Sequence, residues 1–247
     1  MMKISLANKN VLVTGGATGI GRALVEAFAA ADASVFVNHC GQAGRVEKLV
    51  SDHTLIQAYD ADVSNRAAVD RMLEAIQTDY GNIDILINNA GISDPKPFLE
   101  ISEQDWDTTM NTNLKGAVFC SQAVVPGMLE KGEGSIINIV SELAYLGREK
   151  FAAYTASKGA LVSLTRSLAR EFAPAIRING IAPGPVMTDM LRGEIHSEAD
   201  WEKERDIPLK RIAEAKEIAG SAVFLASDYA RFYCGDILSP NGGSLMR

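Results

Sequence analysis

The sequence has little of what marks a secreted, membrane-bound or nucleic-acid-binding protein. Only three of its 247 residues are cysteine, and they are far apart, which excludes a small disulfide-stapled fold and suggests reduced thiols in the cytoplasm. The longest apolar runs fall well short of the ~20 residues that span a bilayer, and residues 1–10 show no signal-peptide pattern, so no membrane association is expected. The 24 basic residues form no run and are outnumbered by 31 acidic residues, so the net charge of −7 argues against a nucleic-acid partner.

Histidine is also scarce. His39, His53 and His196 form no cluster with metal-ligand spacing, and no metal site is expected. The sequence has no repeat of 20 to 50 residues and no low-complexity stretch, which excludes a repeat protein.

Short apolar runs alternate with longer helical patterns along the chain. Strands are predicted at residues 11–13, 34–37, 55–59, 83–87, 134–140, 176–181 and 237–238. Helices are predicted at residues 21–31, 65–80, 103–130 with a break at Pro126, 151–172 and 214–226. This alternation predicts an α/β fold with a doubly wound parallel sheet, a Rossmann fold, and no linker divides the single domain of residues 1–247. The polar segment 183–208 follows the sixth strand and is interpreted as a substrate loop.

A glycine-rich turn joins the first strand to the first helix. Its spacing is Gly15-x-x-x-Gly19-x-Gly21, which is neither the G-x-G-x-x-G pattern nor a P-loop. Glycines at this place allow a close backbone approach to a pyrophosphate, and the helix N-terminus offers free N–H groups to an anion. The turn indicates a dinucleotide site, and a turn that serves only helix–sheet packing is the alternative.

Tyr154 and Lys158 are four residues apart, so they share one face of a helix. A nearby ammonium favours the phenolate, so we expect Lys158 to lower the pKa of Tyr154 and prepare it for proton transfer. Ser141 ends the fifth strand, where a hydroxyl can donate to a substrate oxygen that gains charge.

With these motifs in this order, the whole chain resembles the short-chain dehydrogenase/reductase family in its single-domain branch of ~250 residues. The resemblance implies that Tyr154 transfers the proton, that Lys158 also holds the nicotinamide ribose, that Ser141 orients the substrate oxygen and that Asn113 holds a relay water. The remaining residues that it implies in coenzyme binding are Gly15, Thr18, Gly19, Ile20, Gly21, Asp62, Val63, Asn89, Ala90, Gly91, Val186 and Thr188. The implied function is hydride transfer between NAD(P)(H) and a carbonyl or alcohol, and a non-catalytic dinucleotide sensor is the alternative.

The choice of coenzyme depends on the end of the second strand. A carboxylate there selects NAD, whereas a base near a 2′-phosphate selects NADP. His39 stands at the usual acid position, so no carboxylate repels a 2′-phosphate, and Arg45 is the nearest base. The sequence favours NADP, with His39 in the coenzyme site, and leaves NAD open.

The substrate is less well defined. A 3-oxoacyl thioester and a small ketone, sugar or polyol are both open, although the net charge of −7 disfavours an acidic carrier-protein partner. Glu142 and Arg148 follow Ser141 and are interpreted as solvated surface charges, with contact to a polar substrate as the alternative. The resemblance also implies a homo-oligomer, commonly a tetramer.

Overall fold

Seven parallel strands form one sheet between two layers of helices in the computed structural model, which describes residues 4–246. Residues 1–3 and 247 of the predicted domain lie outside this range. The strands are β1 (Asn10–Val13), β2 (Ser34–His39), β3 (Ile56–Asp60), β4 (Ile85–Asn88), β5 (Gly134–Ile139), β6 (Ile176–Ile181) and β7 (Ile237–Leu238). Their order is β3-β2-β1-β4-β5-β6-β7, and every neighbouring pair is parallel. The fold prediction is therefore confirmed.

The order of the strands reverses between β1 and β4, and this reversal opens a crevice at the carboxyl ends of the strands. Both strands are apolar and almost wholly buried because helices cover both faces of the sheet. Thr14 continues β1 toward the crevice, and its N–H donates to the Ile87 carbonyl at 3.0 Å.

Ten α-helices lie within the described residues. They are α1 (Gly19–Ala30), α2 (Ala43–Asp52), α3 (Arg66–Tyr80), α4 (Glu103–Met110), α5 (Gly116–Lys131), α6 (Leu143–Leu146), α7 (Ala152–Phe172), α8 (Asp189–Glu194), α9 (Glu198–Arg205) and α10 (Ala215–Ala226). Helix α1 buries Leu24, Val25 and Phe28, which lie on one face at helical spacing, and it packs against α10. Helices α3 and α5 contact each other on the opposite face of the sheet.

The predicted helix over residues 103–130 is interrupted at a different place from the one expected. A π-helical segment, Asn111–Lys115, separates α4 from α5, whereas α5 continues through Pro126. Pro126 is exposed, so water can satisfy the carbonyl that lacks a helical partner. The predicted break at Pro126 was wrong.

The segment 183–208 contains two short helices that the sequence analysis did not predict. Helix α8 is capped by the Thr188 side chain, which accepts from the Leu191 N–H, and α9 by Ser197, which accepts from the Asp200 N–H. Both helices follow β6 and lie near the carboxyl edge of the sheet. Across residues 4–246, none of the helices is both long and apolar enough to cross a bilayer.

Candidate active site

A cleft of about 560 Å³ lies at the carboxyl edge of the sheet. Its walls come from the glycine turn, the ends of β2 to β6, and α7 to α9. Among the predicted site residues, those that line it are Gly15, Thr18, Gly19, Ile20, Gly21, Asp62, Val63, Asn89, Ala90, Gly91, Ser141, Tyr154, Lys158, Val186 and Thr188. His39 and Asn113 are not among the described lining residues. One cleft therefore brings together most of the residues that the sequence singled out.

The glycine turn is shaped for close backbone contact. Gly15 has a φ of +61°, and a Cβ there would lie 2.9 Å from the Ala90 Cα. A Cβ on Gly21 would lie 2.1 Å from the Gly15 carbonyl oxygen, so a side chain cannot fit at that position. Helix α1 begins at Gly19, and within the described chain the Thr18 hydroxyl makes no capping bond to its first N–H groups. These N–H groups suit the phosphates of a dinucleotide.

Polar bonds across the switch point hold this turn in place. The Thr14 hydroxyl accepts from the Asn89 and Ala90 N–H groups at 2.9 and 3.0 Å. The Asn89 amide in turn donates to the Thr14 and Gly15 carbonyls at 2.9 and 3.1 Å. Asn89 therefore braces the turn as well as lining the cleft.

Ser141 and Tyr154 both line the cleft, and the Ser141 hydroxyl is close enough to the phenol to affect its pKa. Ser141 follows β5, and its Oγ accepts from the Leu143 N–H at 3.1 Å. Tyr154 lies in the first turn of α7, and one face of this helix packs against β6. The two hydroxyl groups can therefore both hydrogen-bond to the same oxygen atom of a substrate.

Lys158 lies one turn after Tyr154 and is buried. Its Nζ donates to the Ile139 carbonyl at 2.8 Å and lies 5.7 Å from the centre of the Tyr154 ring. Burial lowers the pKa of Lys158 to about 8. The lysine therefore places a readily titrated positive charge behind the phenol.

The pKa of Tyr154 differs from the sequence expectation. Burial is the largest influence and raises the pKa, while the nearby Ser141 hydroxyl opposes the rise. Burial therefore outweighs the expected effect of Lys158, whose Nζ is bonded to Ile139. Tyr154 is therefore a neutral phenol at pH 7 and can act as a proton donor.

Asn113 sits in the π-helical segment and is fully buried beside the cleft. Its Oδ1 accepts from the Ile92 N–H at 2.8 Å, and its Nδ2 donates to the Ile92 carbonyl and the Ser157 hydroxyl at 3.0 and 3.1 Å. The side chain thus ties the loop after β4 to α7. The relay water that the resemblance implies for Asn113 stays a prediction.

The end of β2 differs from the predicted coenzyme site. His39 is buried, and its Nδ1 accepts from the Gln42 N–H at 3.3 Å and lies 3.7 Å from the Asp60 carboxylate. Because side chains alternate along a strand, it is the next residue, Cys40, that lines the cleft, together with Gln42. The predicted contact of His39 with the coenzyme has no support in this arrangement.

Glu142 and Arg148 were interpreted from the sequence as solvated surface charges, and this interpretation was wrong. Both line the cleft, Glu142 is only 7% exposed, and Arg148 forms an ion pair with the buried Glu204 of α9. Glu194 of α8 lines the same end of the cleft. This cluster is hard to recognise in the sequence because its members come from segments up to 62 residues apart in the chain. Only the segment 183–208, with its many charged residues, gave a signal.

Three comparisons with known proteins agree with this geometry. Residues 15–244 match a family model described as enoyl-(acyl carrier protein) reductase. The chain is 36% identical to a 3-oxoacyl-[acyl-carrier-protein] reductase of Staphylococcus epidermidis, over 97% of this chain and 100% of the relative. It is 38% identical to a 5-keto-D-gluconate 5-reductase of Escherichia coli, over 98% of this chain and 97% of the relative.

Crystal structures give the same picture. A short-chain dehydrogenase/reductase of Brucella melitensis, described as a glucose/ribitol dehydrogenase, superposes with a TM-score of 0.91 at 33% identity, and the match covers all of both chains. These relatives are named as reductases and dehydrogenases, so they give no support to a non-catalytic sensor.

Proposed function

Because this chain belongs to the short-chain dehydrogenase/reductase family, we propose that its cleft binds NADPH and reduces a small polar ketone, with Tyr154 as the proton donor. The chain is an NAD(P)-dependent oxidoreductase that acts on carbonyl and alcohol groups. The observation that carries the proposal is that Ser141, Tyr154 and Lys158 line one cleft together with the glycine turn.

The donor set fits a dinucleotide. The glycine turn, where a Cβ on Gly21 would meet the Gly15 carbonyl, leaves backbone room for the phosphates. Asp62 and Val63 line the cleft and would contact the adenine ring. When bound, the reduced coenzyme supplies a hydride to the carbonyl carbon.

Residues of the chain supply the proton that the carbonyl oxygen of the substrate receives. Ser141 donates a hydrogen bond to the carbonyl oxygen, which orients it and stabilises the charge that develops there. Tyr154 then gives its phenolic proton to that oxygen. Lys158 stabilises the resulting phenolate because its ammonium group lies behind the ring. Asn113 is a positioning residue, since its amide fixes Ile92 and Ser157 around the lysine.

Replacing Tyr154 tests the mechanism. Tyr154→Phe should lower the rate of NADPH oxidation with a ketone by about 10²–10⁴-fold, while fluorescence titration still shows coenzyme binding. Tyr229→Phe is the matched control because Tyr229 is exposed and does not line the cleft. Full activity in the Tyr154→Phe protein would refute the proposed proton transfer.

The preference for NADPH rests on the surroundings of β2. The side chains that this strand end presents to the cleft, Cys40 and Gln42, carry no carboxylate. Arg45 of α2 reaches across to Asp189, a lining residue, at 2.8 Å. We propose that Arg45 meets the 2′-phosphate of the coenzyme.

Arg45→Ala should raise the KM for NADPH about tenfold or more and leave the KM for NADH within about twofold, because it removes a charge-assisted hydrogen bond. Lys48→Ala removes the same charge one turn further along α2 and serves as the control, because among the described residues Lys48, unlike Arg45, makes no ion pair with a residue of the cleft. Equal losses for both coenzymes would contradict the assignment.

We also propose a homotetramer in the cytoplasm. Phe98 and Leu99 are largely exposed just before α4, which suits a surface buried by another subunit. Cys40 and Cys234 are free and exposed, as expected in a reducing compartment. Light scattering after size exclusion should give four times the mass of the chain, and a monomer would contradict the assembly.

A further inference from the structure

Four charged side chains surround the end of the cleft beyond Ser141. Glu142, Arg148, Glu194 and Glu204 all line it, and they come from the segment after β5 and from α8 and α9. Arg148 is held in its ion pair with Glu204, and its guanidinium also lies 4.9 Å from the centre of the Phe151 ring. The guanidinium therefore already has a carboxylate partner and is fixed in place.

Glu142 differs from its neighbours because one of its oxygens has no partner. Its Oε2 is buried and accepts no hydrogen bond from any residue among 4–246, although the side chain lines the cleft. A buried polar atom without a partner is unusual in a folded protein and calls for an explanation. Glu142 directly follows Ser141 in the chain, and both residues line the cleft.

The protonation of Glu142 adds to this picture. Burial, followed by the proximity of Glu204, raises the pKa of Glu142 to about 8, while its own backbone N–H and Arg148 oppose the rise. Near neutral pH the group is mainly a carboxylic acid, which can both donate and accept a hydrogen bond. A substrate hydroxyl has the same two capacities.

We propose that Glu142 determines substrate specificity by hydrogen-bonding a hydroxyl group next to the reacting carbonyl, so that the substrates are neutral polyhydroxylated ketones and the corresponding polyols. This inference rests on the proposed function and narrows its substrate class. An acyl thioester would place an aliphatic chain against the free oxygen of Glu142 and leave it unpaired, and sites built for a hydroxyl discriminate strongly against analogues that lack it.

The charge balance of the cluster favours a neutral substrate over a sugar acid. Arg148 is neutralised by Glu204, and Glu194, whose pKa burial also raises, adds no positive charge. A substrate carboxylate would lie near three carboxyl groups and a single guanidinium, that of Arg148, which is already paired with Glu204. This end of the cleft therefore offers no free cation within the described chain.

The decisive experiment compares two ketones that differ in one group. Hydroxyacetone and butanone have the same number of heavy atoms, but the first carries a hydroxyl where the second carries a methyl. The ratio of their kcat/KM values should favour hydroxyacetone in the wild type and fall by at least about tenfold in Glu142→Leu. Glu142→Gln keeps a donor and an acceptor and should retain the ratio within about threefold.

Glu149→Leu is the matched control, since Glu149 is exposed, does not line the cleft and should leave the ratio unchanged. Coenzyme titration shows whether each variant is folded, and Glu142→Ala replaces the leucine variant if that protein does not bind coenzyme. An unchanged ratio in the folded variant overturns this inference while ketone reduction upholds the proposed function. Absence of any ketone reduction by the wild type overturns both.

A substrate panel tests the charge argument separately. Neutral ketoses such as L-xylulose should give higher kcat/KM values than the 5-ketogluconate anion or an acetoacetyl thioester. A preference for the anion would overturn the neutral-substrate part, and a preference for the thioester would overturn the role of Glu142 in selecting hydroxyls.

Discussion

Glu142 couples its own protonation to the stability of the fold. Its pKa rises from 4.5 to about 8 when burial surrounds it, so the folded protein binds an extra proton between these pH values. The stabilisation linked to this proton is complete below about pH 4.5 and is lost as the pH rises through about 8. Above that pH the fold must hold a buried carboxylate.

Glu142→Gln should therefore change stability in a pH-dependent way. The amide cannot ionise, so the variant should gain stability relative to the wild type between pH 5 and pH 9, by on the order of a few kcal/mol. Urea unfolding at the two pH values measures this difference. Glu149→Gln, at an exposed site, should show almost none, and an equal difference at both pH values for Glu142→Gln would show that its carboxyl ionises normally.

At the scale of single residues, the sequence shows which side chains can react, but it does not show how far each is buried or what surrounds it. The spacing of Tyr154 and Lys158, and a serine at the end of β5, are local patterns, and the structure gathers these residues at one cleft. The environment of Glu142 depends on Glu204 and Arg148, and the direction of the Tyr154 pKa depends on burial that no local pattern reveals. His39 does not line the cleft because one step along a strand turns a side chain to the other face, so its contact with the coenzyme stays a prediction.

The turn between β1 and α1 is the element that we propose as the site of the dinucleotide phosphates. A Cβ on Gly21 would lie 2.1 Å from the Gly15 carbonyl oxygen and 2.6 Å from the Asn89 Nδ2, so Gly21→Ala must displace the backbone. We expect a loss of coenzyme affinity of at least tenfold and a destabilisation of about 1–3 kcal/mol. Isothermal titration calorimetry and chemical unfolding measure the two effects.

Gly44→Ala provides the control within another helix. Gly44 lies in the first turn of α2, and a Cβ there would meet no atom of the described chain within 4 Å. The substitution should be neutral or stabilise the protein by up to about 1 kcal/mol, with unchanged coenzyme affinity. Similar losses in both variants would mean that the close approach at Gly21 is not what limits binding.

The helices were predictable to the extent that their apolar faces were regular. Helix α1 repeats Leu24, Val25 and Phe28 at helical spacing, whereas α2 buries only Val46 and Leu49 and was missed. The π-helical segment before α5 has no sequence signal of its own, because the bonds of Asn113 to Ile92 and Ser157 hold it in place. Tertiary contacts decided these boundaries.

At the scale of the whole molecule, we propose different main roles for the two halves of the chain. The glycine turn and the ends of β2 to β4 form the part of the cleft suited to a dinucleotide, while β5, α7 and the segment with α8 and α9 supply Ser141, Tyr154 and the charged cluster. The division of labour follows from the strand order, because the reversal between β1 and β4 places both sets of strand ends around one crevice. A ligand that fills the crevice therefore contacts both halves.

Coenzyme binding should for this reason stabilise the entire fold. At a concentration 100 times its Kd, NADPH adds about 2.7 kcal/mol to the free energy of unfolding, which raises the Tm of a chain of this size by roughly 5–10 °C. Tyr154→Phe should keep this shift because its effect is on the proton, whereas Gly21→Ala, with at least tenfold weaker binding, should lose about half of it or more at the same concentration. Differential scanning fluorimetry with NADPH and NADH distinguishes the cases, and a Tm shift that survives in Gly21→Ala but disappears in Tyr154→Phe would reverse the roles proposed for the two halves of the cleft.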